Sequence, residues 1–338
     1  MIKKTYISLL LIALTMTSSQ VAAGTAYRGI LQTVAHEFIN IEKDSGAGSG
    51  DCSVLDDLIG KALAAVTYST NSTTEDALRT LMQIDLLLKQ EGFVFGQNYL
   101  LSTGLKSRTI DCDNYCALYI AIAEVMKIPV VPVYAPNHSF LRFYFDDGSY
   151  INWEPTQGRP QQDSYYVNEL GISGDSVSKG VYMKTLTRQE FIAVEYNNIG
   201  SHFMLKKNYG EAVMYFTAAA RFYPAFSSAW HNRGSSYYAM GRSEEALNDL
   251  QRANELDPLR ASTHNTMGDI YLDRKEYSRA AEEYKTSIKI NPSDYVPYNN
   301  MAYIMKMLGK EKESQSWYNK SQEIKAVSGK TRPQGSSE

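Results

Sequence analysis

A set of residues recurs every 34 positions between residues 193 and 328 of this 338-residue chain. Three kinds of residue keep the interval: prolines, small residues and large apolar residues. They are Pro224, Pro258 and Pro292; Gly200, Gly234, Gly268 and Ala302; Ala212, Ala246, Ala280 and Ser314; Phe203, Tyr237, Tyr271 and Met305; and Phe216, Leu250, Tyr284 and Tyr318. Small residues let two helices cross closely, large side chains fill the spaces beside them, and proline ends a helix. The pattern predicts one helix pair per repeat and an all-α solenoid of four pairs.

This repeat resembles the tetratricopeptide repeat over four consecutive units. The resemblance implies a concave surface that binds an extended peptide or a partner helix, so we expect a protein partner there. The fourth unit has Ala326 in place of the proline and a polar outer side, as expected of a terminal cap. Four large residues share one repeat position, which is usually structural in this family: Tyr196, Trp230, His264 and Tyr298.

Residues 1–23 have the pattern of an export signal. Lys3 and Lys4 form a basic start, residues 7–16 are a short apolar stretch, and small residues precede a cleavage point at Gly24. The apolar stretch is too short for a transmembrane helix, so we expect no membrane span after cleavage. The sequence predicts a periplasmic or secreted protein, with a retained membrane anchor as the alternative.

The composition argues against several kinds of partner. A net charge of −3 provides no basic surface for nucleic acid. The chain has no Cys-x-x-Cys or His-x-x-x-His pair and no glycine-rich phosphate loop, so we expect neither a metal nor a cofactor.

Residues 24–190 show an α+β pattern, with helices first and an antiparallel sheet after them. The predicted helices are residues 25–41, 54–66, a helix from the capping box Ser72–Glu75 towards Gly92, and Cys112–Lys127; the predicted strands are 129–134, 139–144 and 149–153, with a hairpin turn at Asp146-Asp147-Gly148. The polar residues 329–338 are predicted to be a disordered tail.

Cys112, His138 and Glu154 follow one another within this region and provide a thiol, an imidazole and a carboxylate. These are the groups that a cysteine nucleophile, its base and the orienting acid require. Cys112 begins a predicted helix, where the macrodipole and free amides favour the thiolate. His138 and Glu154 lie on neighbouring strands across a hairpin, which can bring them within hydrogen-bond reach.

The same segment resembles the transglutaminase-like superfamily, a papain-related group of cysteine enzymes. The resemblance rests on Lys127-Ile128-Pro129, fifteen residues after Cys112, on a histidine that begins a strand, and on Glu154-Pro155-Thr156. It implies that Cys112 is the nucleophile, His138 the base and Glu154 the orienting acid. Glutamate stands here in place of the family's commoner aspartate, and Lys127 in place of its usual glycine.

No residue of the oxyanion hole can be assigned from this resemblance. Gln97 and Asn98 are candidates because they carry amide donors and precede the cysteine helix, while the backbone amide of Cys112 is another donor. The alternative base is His36, which lies in a predicted apolar helix.

The three cysteines allow one disulfide. An oxidising compartment favours pairing, and a nucleophilic Cys112 must stay reduced, which leaves Cys52 and Cys116 as the possible pair. In the alternative, Cys116 is a buried helix residue and Cys52 a loop thiol.

Together these features predict an exported cysteine-dependent acyl-transfer enzyme. It would act on peptide or glutamine carboxamide groups through a thioester, which water or an amine then resolves, with hydrolysis favoured. The repeats would recruit a protein or peptide substrate. One alternative is a catalytically inactive scaffold whose repeats bind proteins in the cell envelope. Another is an envelope assembly factor that acts on peptidoglycan peptides.

Overall fold

A computed structural model of the protein describes residues 32–70 and 72–331. The predicted export signal lies outside these ranges. The last helix continues to Thr331, into the predicted tail, and residues 332–338 also lie outside them. Among the described helices, none is both long enough and apolar enough to cross a membrane.

Fifteen helices and six strands make up the described chain. The helices are α1 (Val34–Ser45), α2 (Ser53–Ala65), α3 (Thr74–Gln90), α4 (Leu101–Ser107), α5 (Cys112–Met126), α6 (Asp163–Glu169), α7 (Gly174–Ser178), α8 (Arg188–Leu205), α9 (Tyr209–Phe222), α10 (Ser227–Ala239), α11 (Ser243–Leu256), α12 (Ala261–Asp273), α13 (Tyr277–Ile290), α14 (Val296–Met307) and α15 (Glu311–Thr331). The strands are β1 (Val94–Phe95), β2 (Thr109–Ile110), β3 (Val130–Ala135), β4 (His138–Tyr144), β5 (Tyr150–Glu154) and β6 (Arg159–Gln161).

Helix α5 is the centre of the first part of the fold. Ten consecutive residues, 114–123, are buried in it, so the helix is enclosed on every side. Strands β3 and β4 pack against it, as do α1 and α2. The sheet is an antiparallel meander in the order β3-β4-β5-β6, while β1 and β2 form a separate parallel pair.

The structure has the predicted order of helices followed by an antiparallel sheet, with differences in detail. The capping box of α3 is Thr73 with Asp76, one residue later than predicted, because these two side chains exchange hydrogen bonds with each other's backbone. Helices α4, α6 and α7 and strand β6 were not predicted. All four are seven residues or shorter, too short for a clear hydrophobic period.

Helices α8 to α15 form four antiparallel pairs, and a repeated glycine fits against a large residue in each of the first three. The contacts join Gly200 to Phe216, Gly234 to Leu250 and Gly268 to Tyr284, where an added β-carbon would lie 2.6, 2.9 and 2.7 Å from the partner side chain. The predicted prolines follow α9, α11 and α13 directly. Tyr318 departs from the pattern and is 46% exposed, because within residues 32–331 no further helix packs on α15.

The first repeats share a hydrophobic core with the α+β region. Tyr223, Phe226 and Leu256 belong to the same buried cluster as Phe140 and Trp153. The described residues from 33 onward form one compact unit. The first two helix pairs are therefore held in a fixed position beside the sheet and α5.

Replacement of Gly268 by alanine tests the close crossing of α12 and α13. The new methyl group would meet the buried Tyr284 ring, and overpacking of this kind costs about 1–3 kcal/mol. Gly60 is the matched control, because it is an exposed helix residue where an added β-carbon would meet no atom within 4 Å. Alanine at this position should increase the free energy of unfolding by up to about 1 kcal/mol. The free energy of unfolding in urea should be lower for Gly268→Ala than for wild type, and equal or higher for Gly60→Ala. A Gly268→Ala variant as stable as wild type would contradict the close crossing of α12 and α13.

Candidate active site

His138 and Glu154 form a hydrogen-bonded pair at the edge of the sheet. Pro136 and Asn137 make the tight turn between β3 and β4, with Asn137 in the left-handed region (φ 52°) that asparagine tolerates. This turn makes His138 the first residue of β4, while Glu154 ends β5. Nε2 of His138 lies 2.7 Å from Oε2 of Glu154. The pairing predicted across the hairpin is thus present.

Glu154 is held rigidly and is only 1% exposed. Its Oε1 accepts hydrogen bonds from the backbone N–H and the hydroxyl of Thr156, at 3.2 and 2.5 Å. Its Oε2 also accepts a hydrogen bond from the hydroxyl of Tyr166 at 3.3 Å, and Tyr166 stacks on Phe140 at 3.7 Å between ring centroids. The imidazole therefore has one fixed orientation, with Nδ1 as the ring nitrogen left for proton transfer.

Cys112 is the first residue of α5, as the sequence predicts. The side chain of Asp111 caps the helix by accepting from the N–H of Asn114 at 3.0 Å. The backbone amide of Ser139, the residue after His138, lies near the sulfur and lowers the pKa of the thiol. The start of β4 is thereby placed against the start of α5, which brings the three predicted site residues into one region.

The pKa of the Cys112 thiol nevertheless lies well above its usual range. Burial is the main cause, and the negative charges of Asp113 and Asp111 add to it. The thiol also lies 4.0 Å from Oδ1 of Asp113, to which it donates a weak hydrogen bond. The sequence-based expectation of a thiolate rested on the dipole and the free amides at the helix start, and burial and the two aspartates outweigh both.

Asp113 connects the site to the repeats. Burial raises the pKa of its carboxyl group, and the Ser139 hydroxyl, Asn198 and the charge of His138 act in the opposite direction. Nδ2 of Asn198, on α8, donates to Oδ2 of Asp113 at 3.4 Å. A residue of the first repeat therefore touches the carboxylate beside the candidate nucleophile.

The two oxyanion candidates differ in their surroundings. Gln97 is exposed and lines a cavity together with Cys112. The side-chain amide of Asn98 donates to the carbonyl of Thr109 at 3.0 Å and so serves the loop between α4 and β2. Nε2 of Gln97 donates to the hydroxyl of Tyr99 at 2.8 Å, which leaves one of its two N–H groups, and of the two candidates only Gln97 lines the cavity at Cys112.

His36 has both ring nitrogens engaged away from Cys112. Nδ1 lies 2.7 Å from the hydroxyl of Thr33 in the capping box of α1, and Nε2 lies 2.9 Å from Oδ1 of Asp56 on α2. This histidine joins two helices, which leaves His138 as the base candidate.

All three cysteines are free thiols in the structure. The possible Cys52–Cys116 disulfide is absent from it. Cys116 is completely buried within α5, and Cys52 precedes α2, where its sulfur lies 4.0 Å from the carbonyl oxygen of Gly50.

A cavity of about 570 Å³ opens beside Cys112, between the start of α5 and the first two repeats. Its size is within the range of small-ligand pockets. It is lined by Phe95, Gly96, Gln97, Tyr99, Asp111, Cys112, Asp113, Tyr134, Asn137, Val194, Asn197, Asn198, Ser201, Met204, Leu205, Phe226, Ser228, Asn232 and Arg260. About half of these residues belong to the repeats, so the repeats form one wall of the cleft.

A buried acid pair, Glu42 and Glu195, lies behind this wall. Glu42 accepts hydrogen bonds from the N–H groups of Leu101 and Ser102 at 2.5 and 3.0 Å and so caps α4. Burial and the neighbouring Glu42 raise the pKa of Glu195 well above its usual range. Glu195 therefore favours its neutral form up to a higher pH than an ordinary glutamate does. Within the described ranges, no group of acidic, histidine or cysteine side chains is arranged to hold a metal ion.

Several residues of the site were missed from the sequence. Thr156 follows Glu154 by two positions, and at this spacing a hydroxyl can donate a hydrogen bond to the carboxylate. The role of Thr156 could therefore have been predicted from the sequence. Tyr166, Asp113 and Asn198 had no local signal, because their roles arise from contacts between distant segments.

Comparisons with known proteins identify the repeats. Residues 227–260 match the model of the tetratricopeptide repeat, and residues 268–309 match a TPR repeat model. The chain therefore contains tetratricopeptide repeats. The match does not extend to the α+β region.

The curated relatives are similar to about a third of this chain or less. "Hsp70-Hsp90 organizing protein 3" of Arabidopsis thaliana is 32% identical over 115 residues, which cover 33% of this chain and 21% of that protein. "Superkiller complex protein 3" of Homo sapiens is 32% identical over 90 residues, 27% of this chain and 6% of that protein. The chain thus spans about a fifth or less of these two relatives. Among solved structures, "Crystal structure of MamA" has a TM-score of 0.39 at 20% identity, covering 41% of this chain and 81% of that one.

The raised pKa of Cys112 predicts slow alkylation that accelerates with pH. The iodoacetamide rate of Cys112, followed by peptide mass spectrometry, should keep rising beyond pH 9, since the thiolate is the reactive form. Asp113→Asn removes a negative charge beside the thiol and should lower the pKa of Cys112 by about half to one unit. The alkylation rate at pH 8 should then rise about threefold to tenfold. Asp57→Asn, an exposed change on α2, should have no effect. A plateau near pH 7 in wild type would contradict the raised pKa.

The buried Glu195 predicts a loss of stability with rising pH. Its unfolded-state pKa is about 4.3, and its folded-state pKa is higher, so the unfolded state ionises first and gains up to about 1.4 kcal/mol per pH unit between the two values. Glu195→Gln keeps the shape and should be increasingly more stable than wild type from pH 5 to pH 8. Glu211→Gln, a change at a partly exposed position of α9, is the control. Thermal unfolding curves with parallel pH dependence in wild type and Glu195→Gln would refute this account.

Proposed function

We propose that this protein is a cysteine-dependent acyl-transfer enzyme of transglutaminase-like fold. Cys112 is the nucleophile, His138 the general base and Glu154 the residue that orients the base. The observation that carries the proposal is the 2.7 Å bond between His138 and the buried Glu154, beside the start of the helix that bears Cys112. A buried carboxylate that fixes an imidazole next to a thiol is the arrangement that nucleophilic catalysis requires.

The reaction begins with a neutral thiol. The sulfur of Cys112 attacks the carbonyl carbon of a carboxamide or peptide bond while its proton passes to Nδ1 of His138. The carbonyl oxygen takes up the negative charge, and the backbone amide of Cys112 and the amide of Gln97 are its proposed donors. The intermediate then collapses, the C–N bond breaks, and His138 returns the proton to the leaving amine. Water or a second amine resolves the thioester, with hydrolysis as our preference.

The raised pKa of Cys112 decides how His138 takes part. With a resting thiolate–imidazolium pair, proton transfer would precede substrate binding. Burial and the charges of Asp111 and Asp113 oppose that pair here, so proton transfer accompanies the attack. Glu154 contributes by stabilising the imidazolium that forms in this step.

The tetratricopeptide repeats mediate protein–protein interaction, and we place the substrate or a protein partner on their concave surface. Their first units form one wall of the cavity at Cys112, so a segment bound there can reach the nucleophile. The export pattern of residues 1–23 further suggests that this chemistry takes place in the periplasm or outside the cell.

One observation favours a second function, that of a binding scaffold without catalysis. The acidic surroundings that raise the pKa of Cys112 make it a poor nucleophile in the free protein. In that case His138 and Glu154 would stabilise the sheet edge, and the repeats would carry the function alone.

Turnover by single-residue variants separates the two functions. Ammonia release from a mixture of glutamine peptides, and incorporation of a fluorescent primary amine into casein, should both be lost in Cys112→Ala. His138→Ala and Glu154→Gln should lower the rate by about 10²–10⁴, the usual contribution of general acid–base catalysis. Cys52→Ala is the matched control and should retain full activity.

Two results would end the enzyme proposal. One is turnover that survives in Cys112→Ala. The other is wild-type protein without turnover on either substrate, while its repeats still bind a protein partner; that outcome selects the scaffold.

A further inference from the structure

The cavity at Cys112 has a cationic end in the repeats. Arg260, which precedes α12, lines the cavity, and its side chain is 11% exposed. Its Nη2 donates to hydroxyl oxygens of Ser228 at 2.8 Å, Tyr182 at 3.1 Å and Ser227 at 3.4 Å. The guanidinium is thus held in place mainly by neutral groups, although it stays charged at any working pH.

The nearest carboxylate does not satisfy this cation. Oδ2 of Asp257 lies 3.5 Å from Nε of Arg260, and this buried Nε has no hydrogen-bond partner. The same oxygen of Asp257 instead accepts the hydroxyl hydrogen of Tyr182 at 2.6 Å. Asp257 therefore pairs with Arg260 only at long range and is shared with Tyr182, so an anion that reaches the cavity-facing part of the guanidinium would strengthen the compensation of its charge.

The surroundings of Arg260 also favour an anion. Helices α10 and α12 both begin at this end of the cavity, and neither has a side chain that caps its N-terminus. Their free N–H groups add positive potential there. The opposite end, at Cys112, carries Asp111 and Asp113, which disfavour a second negative charge near the nucleophile.

We propose that the cavity binds a peptide whose carboxylate is held by Arg260 while an uncharged acyl group lies at Cys112. This assignment rests on the proposed function in taking Cys112 as the reacting thiol. It names the substrate class, an acyl donor with a carboxylate set apart from the carbonyl under attack. The carboxylate is either a peptide C-terminus or an acidic side chain, since both offer Arg260 the same two oxygens.

Affinity labelling of Cys112 tests the site without requiring turnover. Bromoacetyl-glycylglycine and its C-terminal amide form one pair of reagents; bromoacetyl-glycyl-glutamate amide and its glutamine counterpart form the other. The first pair tests a C-terminal carboxylate and the second a side-chain carboxylate. Alkylation of Cys112 in the full chain is measured at pH 9 by mass spectrometry, with Cys52 as the internal reference.

We expect at least one acidic reagent to alkylate Cys112 about tenfold faster than its uncharged counterpart. A tenfold ratio is about the smallest effect expected for a hydrogen bond to a charged group. The pair that shows the preference identifies the source of the carboxylate. Arg260→Gln should reduce the ratio to about one and Arg260→Lys should keep part of it. Arg233→Gln, which breaks the bidentate pair between Arg233 of α10 and Asp249 of α11, is the matched arginine control and should keep the full preference.

Equal rates for both pairs in wild type would overturn the proposal, as would a preference that persists in Arg260→Gln. If Arg260→Gln does not fold, a competition experiment on wild type decides. Acetyl-glycylglycine, acetyl-glycyl-glutamate amide and their uncharged counterparts are each added during alkylation of Cys112. At least one acid should slow the alkylation more than its uncharged counterpart does. An acid preference without any turnover would uphold the anion site and refute the enzyme, so the two failures are distinguishable.

Discussion

The burial of α5 on all sides is the constraint on which the rest of the structure depends. A helix with ten consecutive buried residues must be enclosed by other elements, and here the sheet covers one side while α1 and α2 cover another. Its first turn, at Cys112, emerges at a cavity. The thiol is therefore placed by the core rather than by a loop, which gives it a fixed position relative to β4.

The continuous core between the α+β region and the first repeats has a functional consequence. In a solenoid joined by a linker, bound protein would be tethered near the thiol at a variable distance. Here Phe226 and Leu256 are part of the core that also holds Trp153, and Asn198 contacts Asp113. The repeats thus contribute side chains to the same cleft, so the proposed recognition and the proposed reaction would share one site.

The sequence predicted those features that depend on neighbouring residues. The helix start at Cys112 follows from an apolar period, and the meeting of His138 with Glu154 follows from their places on neighbouring strands across a hairpin. The short elements α6, α7 and β6 carry no such period. The electrostatics of Cys112 were not predictable either, because burial and the contacts of Asp113 arise only when distant segments pack. Local pattern therefore located the residues of the site, while their reactivity depends on tertiary structure.

Under the proposed function and the predicted export, this difference bears on how the Cys112 thiol would survive in an oxidising compartment. The thiolate is the form that oxidants attack as well as the form that attacks a carbonyl, so a cysteine with a low pKa is vulnerable in an oxidising compartment. Burial and the charges of Asp113 and Asp111 keep Cys112 protonated in the free protein. His138, oriented by Glu154, can remove the proton once an acyl group occupies the cavity. Protection of the resting thiol and its activation by substrate are then two results of one arrangement, and neither needs the disulfide that the sequence suggested.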